Sequence, residues 1–219
     1  MKVVLTGSPS AGKSTLIGML EQRGFSVVHE LATAVINDGA ANPSTDHEQF
    51  QFEVLRRQRL AEAHLGEVPL LFLDRGSYDA VPYREIYGRK VPDFIAALQP
   101  GAYDVCFLLD ALEWVDDGVR YETAEFSREI QPYFARVYEN NDIPVVRVPV
   151  MSPEARLHFI LSQVGKVMRR NLTALCRASA RAEAGNHHDN ERQERRWFSI
   201  ASVGDSMFSV PTLGLAKAG

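Results

Sequence analysis

Cysteine is scarce: of 219 residues only Cys106 and Cys176 carry thiols, and their spacing fits no metal-ligand pattern. Cys106 lies in an apolar run, where a buried, reduced thiol is expected, and this points to a reducing compartment. No hydrophobic run approaches membrane-spanning length, and three apolar residues between Lys2 and Gly7 are too few for a signal-peptide core. Positive charge is not in excess either. Subtracting 28 acidic from 24 basic side chains leaves −4, so there is no global basic field to hold nucleic acid or anionic lipid. These absences predict a cytoplasmic protein that works on a small molecule, with neither nucleic acid nor membrane as partner. The 15 Gly and 11 Pro accompany 45% hydrophobic and 24% charged residues, which excludes a collagen-like, low-complexity or wholly disordered chain. No internal repeat of solenoid period occurs.

Five short apolar runs stand out, at residues 3–5, 25–28, 68–73, 105–109 and 143–148. Rich in Val, Ile, Leu and Phe and without polar alternation, they read as strands covered on both faces. Helical patterns fill the intervals at 13–23, 45–65 and 127–140, with Leu16, Met19 and Leu20 as the clearest apolar face. Ser152 followed by Pro153 marks a further helix start, since Ser caps orphan amides and Pro fits the first helical position; that helix is expected to reach about Met168. Strand and helix alternation implies right-handed crossovers onto a parallel sheet, hence a three-layer α/β fold. A domain of residues 1–170 is expected, followed by an extension over 171–219 that is partly helical or loose.

The most specific pattern is Gly7-Ser8-Pro9-Ser10-Ala11-Gly12-Lys13-Ser14, which fits G-x-x-x-x-G-K-[ST] at every specified position between a strand and an amphipathic helix. The glycines let the backbone curl with amides inward, and the helix beginning near Lys13 adds its positive end, which makes a nest for phosphate oxygens. Lys13 is expected to reach the β- and γ-phosphates and the Ser14 hydroxyl to ligate Mg²⁺. Asp74 ends the apolar run Leu70-Leu71-Phe72-Leu73, where a carboxylate coordinates the metal directly or through water; a plain strand-end Asp capping a turn is the alternative. Arg75 beside it suits phosphate or a nearby acid, and Asp79 either supports the substrate side or caps a helix. Glu30, after the second strand, projects into the crevice where α/β ligands bind and suits acid-base work on a hydroxyl. His29 next to it reads more simply as a satisfied core histidine. Arg120, after Asp116-Asp117-Gly118, and Arg128 lie in the connection after the fourth strand, where an arginine on a closing segment stabilises transferred phosphate; an exposed acidic turn with a surface ion pair is the alternative.

Together with Thr15, Gly76, Tyr83, Tyr103-Asp104 and Asp117-Gly118-Val119-Arg120-Tyr121-Glu122, these residues resemble P-loop AAA-type ATP-binding domains. Those domains are related to nicotinamide riboside kinase domains and, more distantly, to deoxynucleoside and nucleoside-monophosphate kinases. The resemblance covers about residues 1–168. It implies a five-stranded parallel sheet in the order 2-3-1-4-5, ATP with Mg²⁺, and a lid around 113–130. Its nucleotide-binding set is Gly7, Ser10, Ala11, Gly12, Lys13, Ser14 and Thr15, with Arg120 and Arg128 from the lid. Ser14 and Asp74 fall at the metal positions, and Lys13, Glu30, Asp74, Arg75 and Arg120 at the catalytic ones. The lid carries only two arginines and no base-recognition motif is evident, so the acceptor stays open. The resemblance puts residues 31–59 where related kinases hold their acceptor; Gln49 and Gln58 suit ring recognition there, and a helix packing Phe50, Phe52, Val54 and Leu55 partly inward is the commoner outcome.

Two rival classes lack their marks. A GTPase would carry Asn/Thr-Lys-x-Asp for guanine, and a ring-forming motor would follow its strand with Asp-Glu, whereas Asp74 is followed by Arg75. The expected activity is transfer of the ATP γ-phosphate to a hydroxyl of a nucleoside-like or other small metabolite, the alternative being an ATP-binding or ATPase regulatory module.

Overall fold

A computed structural model describes residues 1–42, 45–65, 68–96, 100–112 and 124–183. The elements run β1 (Lys2–Thr6), α1 (Lys13–Gln22), β2 (Ser26–Val28), α2 (Leu31–Asn37), α3 (His47–His64), β3 (Leu71–Asp74), α4 (Ala80–Glu85), α5 (Asp93–Ala96), β4 (Val105–Leu109), α6 (Ala124–Glu139), β5 (Val145–Val148) and α7 (Pro153–Glu183). All strand pairings are parallel and the sheet order is β2-β3-β1-β4-β5, as the resemblance implied. The chain divides into two compact units, Met1–Ile160 and a second from Leu161 onward; the sheet belongs to the first. Among the described residues no helix is long and apolar enough to cross a membrane.

The two faces of the sheet follow from strand alternation. Val4, Leu71, Leu73 and Cys106 enter a cluster with Leu55 of α3, Val81 of α4 and Val137 and Tyr138 of α6. Leu108 meets Ile130 and Phe134 of α6 on that same side. Val3, Leu5, Phe72 and Phe107 are fully buried and face the other way, where α1 buries Leu16, Ile17 and Leu20. Every residue of β3 and β4 is buried, so the missing polar alternation has the expected cause.

Helix starts that carry caps match the sequence reading. The Asp46 carboxylate accepts from the Gln49 amide at 2.9 Å ahead of α3, and Ser152 Oγ accepts from the Ala155 amide at 3.3 Å ahead of α7. Three helices were not anticipated. In α2 only Val35 is buried and β-branched residues dilute the period; α4 contains Pro82, tolerated because it lies in the first turn; α5 is one turn long. On α3, Phe50 and Leu55 are buried as expected, but Phe52 is 43% exposed and packs edge-on against Phe94, because successive even positions on a helix do not share a face.

Behind the end of β3 the packing leaves no room at position 76. A Cβ on Gly76 would lie 2.5 Å from Tyr138 Oη and 3.0 Å from the Tyr103 ring, and both rings are buried. Gly76→Ala is therefore expected to destabilise the fold by about 1–3 kcal/mol through overpacking, read as a lower denaturant midpoint; an unchanged midpoint would show that the two rings yield freely.

Candidate functional site

Strand register brings the chemistry to one edge. Leu5 pairs with Asp74, Val28 with Leu73 and Thr6 with Leu108, so the segments leaving β1, β2 and β3 emerge side by side at the C-terminal edge, where ligands bind in open α/β sheets. Gly7 leaves β1 at φ 137, and a Cβ there would meet the Leu109 carbonyl at 2.7 Å, so no other residue fits. Ser10 and Gly12 also have positive φ, 64 and 87. The first turn of α1 has no side-chain cap and no acid, which leaves its amides and dipole for an anion.

Lys13 is 6% exposed and its ammonium donates to the Ser8 carbonyl at 2.8 Å and the Gly7 carbonyl at 3.2 Å. Burial, with the neighbouring Arg75 charge, lowers its pKa to about 7 against the pull of Asp74, Asp79 and Glu30. Ser14 Oγ donates to Asp74 Oδ2 at 2.7 Å. The other oxygen, Asp74 Oδ1, is buried with no hydrogen-bond partner among the described residues, and burial raises the Asp74 carboxyl although the Ser14 hydrogen bond opposes it. A hydroxyl beside a half-satisfied carboxylate is an all-oxygen set that fits Mg²⁺, a cation that keeps most of its waters. Among the described residues no group of three or more His, Cys, Asp or Glu offers a protein cage instead.

Glu30 stands across from Arg75, whose Nε donates to Glu30 Oε1 at 2.8 Å. Burial alone would raise the Glu30 carboxyl; the Arg75 charge and hydrogen bond outweigh it and hold it below the usual range. The rest of the Arg75 guanidinium reaches Asp79 Oδ2 at 3.3 Å and lies 5.8 Å from the centre of the Tyr83 ring. Asp79 precedes α4 but does not cap it with its side chain; it accepts from Thr6 Oγ1 at 2.7 Å and from the Tyr138 hydroxyl. Tyr103 and Asp104 serve the frame: the Tyr103 hydroxyl donates to Glu62 at 2.9 Å and the Lys2 amide donates to Asp104 at 2.7 Å.

Ala11 is fully buried, and Ser14 and Thr15 are exposed on the first turn of α1. Arg128 is exposed on α6, and Arg120, with Asp116, Asp117 and Gly118, lies outside the described residues. His29 is not a core histidine: it is surface-exposed and its Nε2 lies 3.1 Å from Glu21 Oε2, because it falls after the last residue of β2. The sequence reading missed Thr6, Tyr138 and Arg156. Arg156 is 2% exposed and donates to the Ala11 carbonyl at 2.6 Å, the Asp110 carbonyl at 2.8 Å and the Pro149 carbonyl at 2.9 Å. Its one sequence signal is an arginine in register with Ile160 and Val164, at an apolar-stripe position.

This arrangement of strand, glycine loop, helix and strand-end acid defines a P-loop nucleoside-triphosphatase fold. Residues 2–156 match the family model described as AAA domain, and the chain belongs to that family. No curated protein sequence matches it. Among solved structures, deoxyadenosine kinase from M. mycoides, with products dCMP and a flexible dCDP bound, is similar at a TM-score of 0.55 and 13% identity, over 76% of this chain and 100% of that one. Thymidylate kinase from Candida albicans reaches a TM-score of 0.45 and 17% identity, over 78% of this chain and 91% of that one.

The buried lysine carries a measurable cost. Its folded pKa lies below the 10.5 of an exposed lysine, so the folded chain binds fewer protons than the unfolded one between about pH 7 and 10.5, and stability rises with pH through that window. Below pH 7 the full cost of the buried ammonium is present. Lys13→Met is expected to stabilise the protein without nucleotide by about 1–3 kcal/mol at pH 6, with the gain fading toward pH 10. Denaturant titrations at both ends check this, and an advantage that grows with pH would contradict it.

Proposed function

We propose that the chain is an ATP-dependent phosphotransferase that passes the γ-phosphoryl group to a hydroxyl of a nucleoside-like or other small metabolite in the cytoplasm. The observation that carries this reading is the Glu30–Arg75 pair, 2.8 Å apart at the sheet edge that also holds Lys13 and the Ser14–Asp74 contact. A loop that only binds nucleotide does not need a carboxylate from a neighbouring strand, held ionised and aimed by an arginine, and an acceptor hydroxyl or a water is what such a carboxylate would act on. The dCMP product held by the M. mycoides kinase supports a nucleoside-like acceptor.

The roles follow from the chemistry of each group. The amides of residues 10–14 receive the phosphates, and the Lys13 amine regains a full charge as it exchanges the Gly7 and Ser8 carbonyls for phosphate oxygens. Ser14 and Asp74 would hold Mg²⁺, which would supply neutralisation of phosphate charge. Arg75 and Lys13 meet the charge that spreads over the transferred group, with Arg120 and Arg128 as further candidates from the segment after β4. Glu30, ionised at neutral pH, accepts a hydrogen bond from the acceptor hydroxyl and takes its proton as the new oxygen–phosphorus bond forms and the bond to the β-phosphate oxygen breaks. A carboxylate kept below its usual range is a weak base, which suits a loose transition state in which the proton leaves late.

Two substitutions test the reading. Glu30→Gln keeps shape and removes charge, so single-turnover transfer is expected to fall by roughly 10² to 10⁴ while ATP affinity by calorimetry hardly changes; equal transfer rates with the best acceptor from a panel of nucleosides, nicotinamide riboside and hydroxylated metabolites would remove the base role. Asp74→Asn keeps volume and loses the anionic ligand, so the Mg²⁺ concentration giving half-maximal ADP release is expected to rise by about tenfold or more with little change in melting temperature. ADP release that no acceptor accelerates would favour the ATPase module instead.

A further inference from the structure

Arg156 lies in the first turn of α7, more than a hundred residues from the loop in sequence, yet its guanidinium touches the loop itself. Its three nitrogens each donate to a main-chain carbonyl, of Ala11 in the loop, of Asp110 after β4 and of Pro149 after β5. Among the described residues it forms no ion pair. We propose that Arg156 is a positioning residue of the phosphate nest: by gripping the Ala11 carbonyl it turns the Gly12 amide toward the phosphates, and its buried positive charge draws them there. The inference rests on the triphosphate-binding reading of the loop and deepens it.

Peptide geometry supplies the first half of the argument. In a trans peptide the carbonyl and the following N–H point in opposite directions. Fixing the Ala11 oxygen on Arg156 Nη1 at 2.6 Å therefore fixes the Gly12 N–H on the other side of the loop. The neighbouring loop carbonyls are also occupied: Gly7 and Ser8 accept from Lys13, and Gly12 accepts from the Leu16 amide at 3.2 Å. Lys13 has to leave its carbonyls to meet a phosphate. Arg156 has no second task, because it is nearly fully buried among carbonyls, so it is the fixed part of the cradle. Electrostatics supplies the second half. A guanidinium stays charged when buried; this one spends its hydrogen bonds on carbonyls, the Asp110 charge offsets its burial only in part, and an anion one peptide away offsets it further. A planar fork with divergent donors serves three segments at once, which an ammonium does not.

The test titrates ATP and inorganic tripolyphosphate into the full chain and its Arg156→Met and Arg156→Lys variants. A charge-assisted hydrogen bond lost from the cradle predicts about 10- to 100-fold weaker binding of both ligands by Arg156→Met, with partial recovery in Arg156→Lys. In steady state the KM for ATP is expected to rise while the acceptor KM stays level, and amide exchange over residues 7–13 to speed up. A lower melting temperature with unchanged dissociation constants for the folded protein would make Arg156 a packing residue and overturn the inference. If Arg156→Met does not fold, Arg156→Lys decides alone: affinity equal to that of the unmodified chain overturns it. An unmodified chain that binds neither ATP nor tripolyphosphate overturns the nucleotide reading and this inference together, a result distinct from binding that the variants leave untouched.

Discussion

The carboxylate of Asp79 sits where β1, the end of β3 and α6 meet. It accepts from Thr6 Oγ1, from the Tyr138 hydroxyl, from the Gly76 amide at 3.4 Å and from Arg75 at 3.3 Å. A buried charge without partners costs several kcal/mol, and breaking such a set leaves that cost exposed. The position of Arg75 depends on this network. Asp79 holds the guanidinium from behind while Glu30 meets it from the crevice, so the cation can point in only one direction. Its backbone is held as tightly: φ is 75 at Arg75, a left-handed conformation worth on the order of 1–3 kcal/mol of strain for a residue with a side chain. The Arg75 amide donates to the Leu5 carbonyl at 3.0 Å and Gln58 reaches the Arg75 carbonyl at 3.4 Å. Strain of this kind persists only where the surroundings over-determine it.

Around that network the two acids at the crevice are driven in opposite directions. Burial raises Asp74, and its single hydrogen bond from Ser14 does not compensate. Arg75 lowers Glu30. A cation beside Asp74 would relieve exactly the penalty that burial imposes there, whereas Glu30 already has its counter-charge and is left to accept a neutral donor such as a hydroxyl. Environments that push two carboxylates apart assign them different work. The buried amine of Lys13, lowered to about 7, fits the same logic from the cationic side: it is destabilised until an anion arrives, so part of the binding free energy is already set aside in the fold.

The strands and the loop were legible because both are written locally, whereas the sheet order came from the resemblance alone. Continuous apolar runs mark strands buried on both faces, and glycines with a Lys-Ser pair mark a backbone that curls around an anion. Glu30, Asp74 and Arg75 were legible as strand-end residues, whereas the pairing of Glu30 with Arg75 rests on the parallel register that sets Val28 opposite Leu73, which the sequence does not state. His29 was misread because the strand ends one residue before it, and a shift of one position moves a side chain from core to surface. Arg156, Thr6 and Tyr138 were illegible for another reason. Their partners lie 145, 73 and 59 residues away in sequence, and their effect on the site passes through a carbonyl or through Asp79, for which no short spacing exists.

Helix α3 shows the same division most clearly. Gln58, whose amide suits a ring edge by residue type, spends it on Glu62 and the Arg75 carbonyl; Arg56 and Arg57 both close on Glu53; Phe50 and Leu55 are core. The inward packing read as the commoner outcome is thus what Leu55 shows, in one cluster with Leu71 and Leu73 of β3. The aromatic surface that adjoins Arg75 comes from α4 instead, where Tyr83 lies beside the guanidinium and stacks on Phe126, which stacks in turn on Tyr87. That surface needs a six-residue helix containing proline to meet the start of α6, a juxtaposition made by packing against the sheet. The glycine loop depends on backbone conformation, which short sequence patterns encode, and the surroundings of Arg75 depend on which helix faces reach it, which only the folded chain decides.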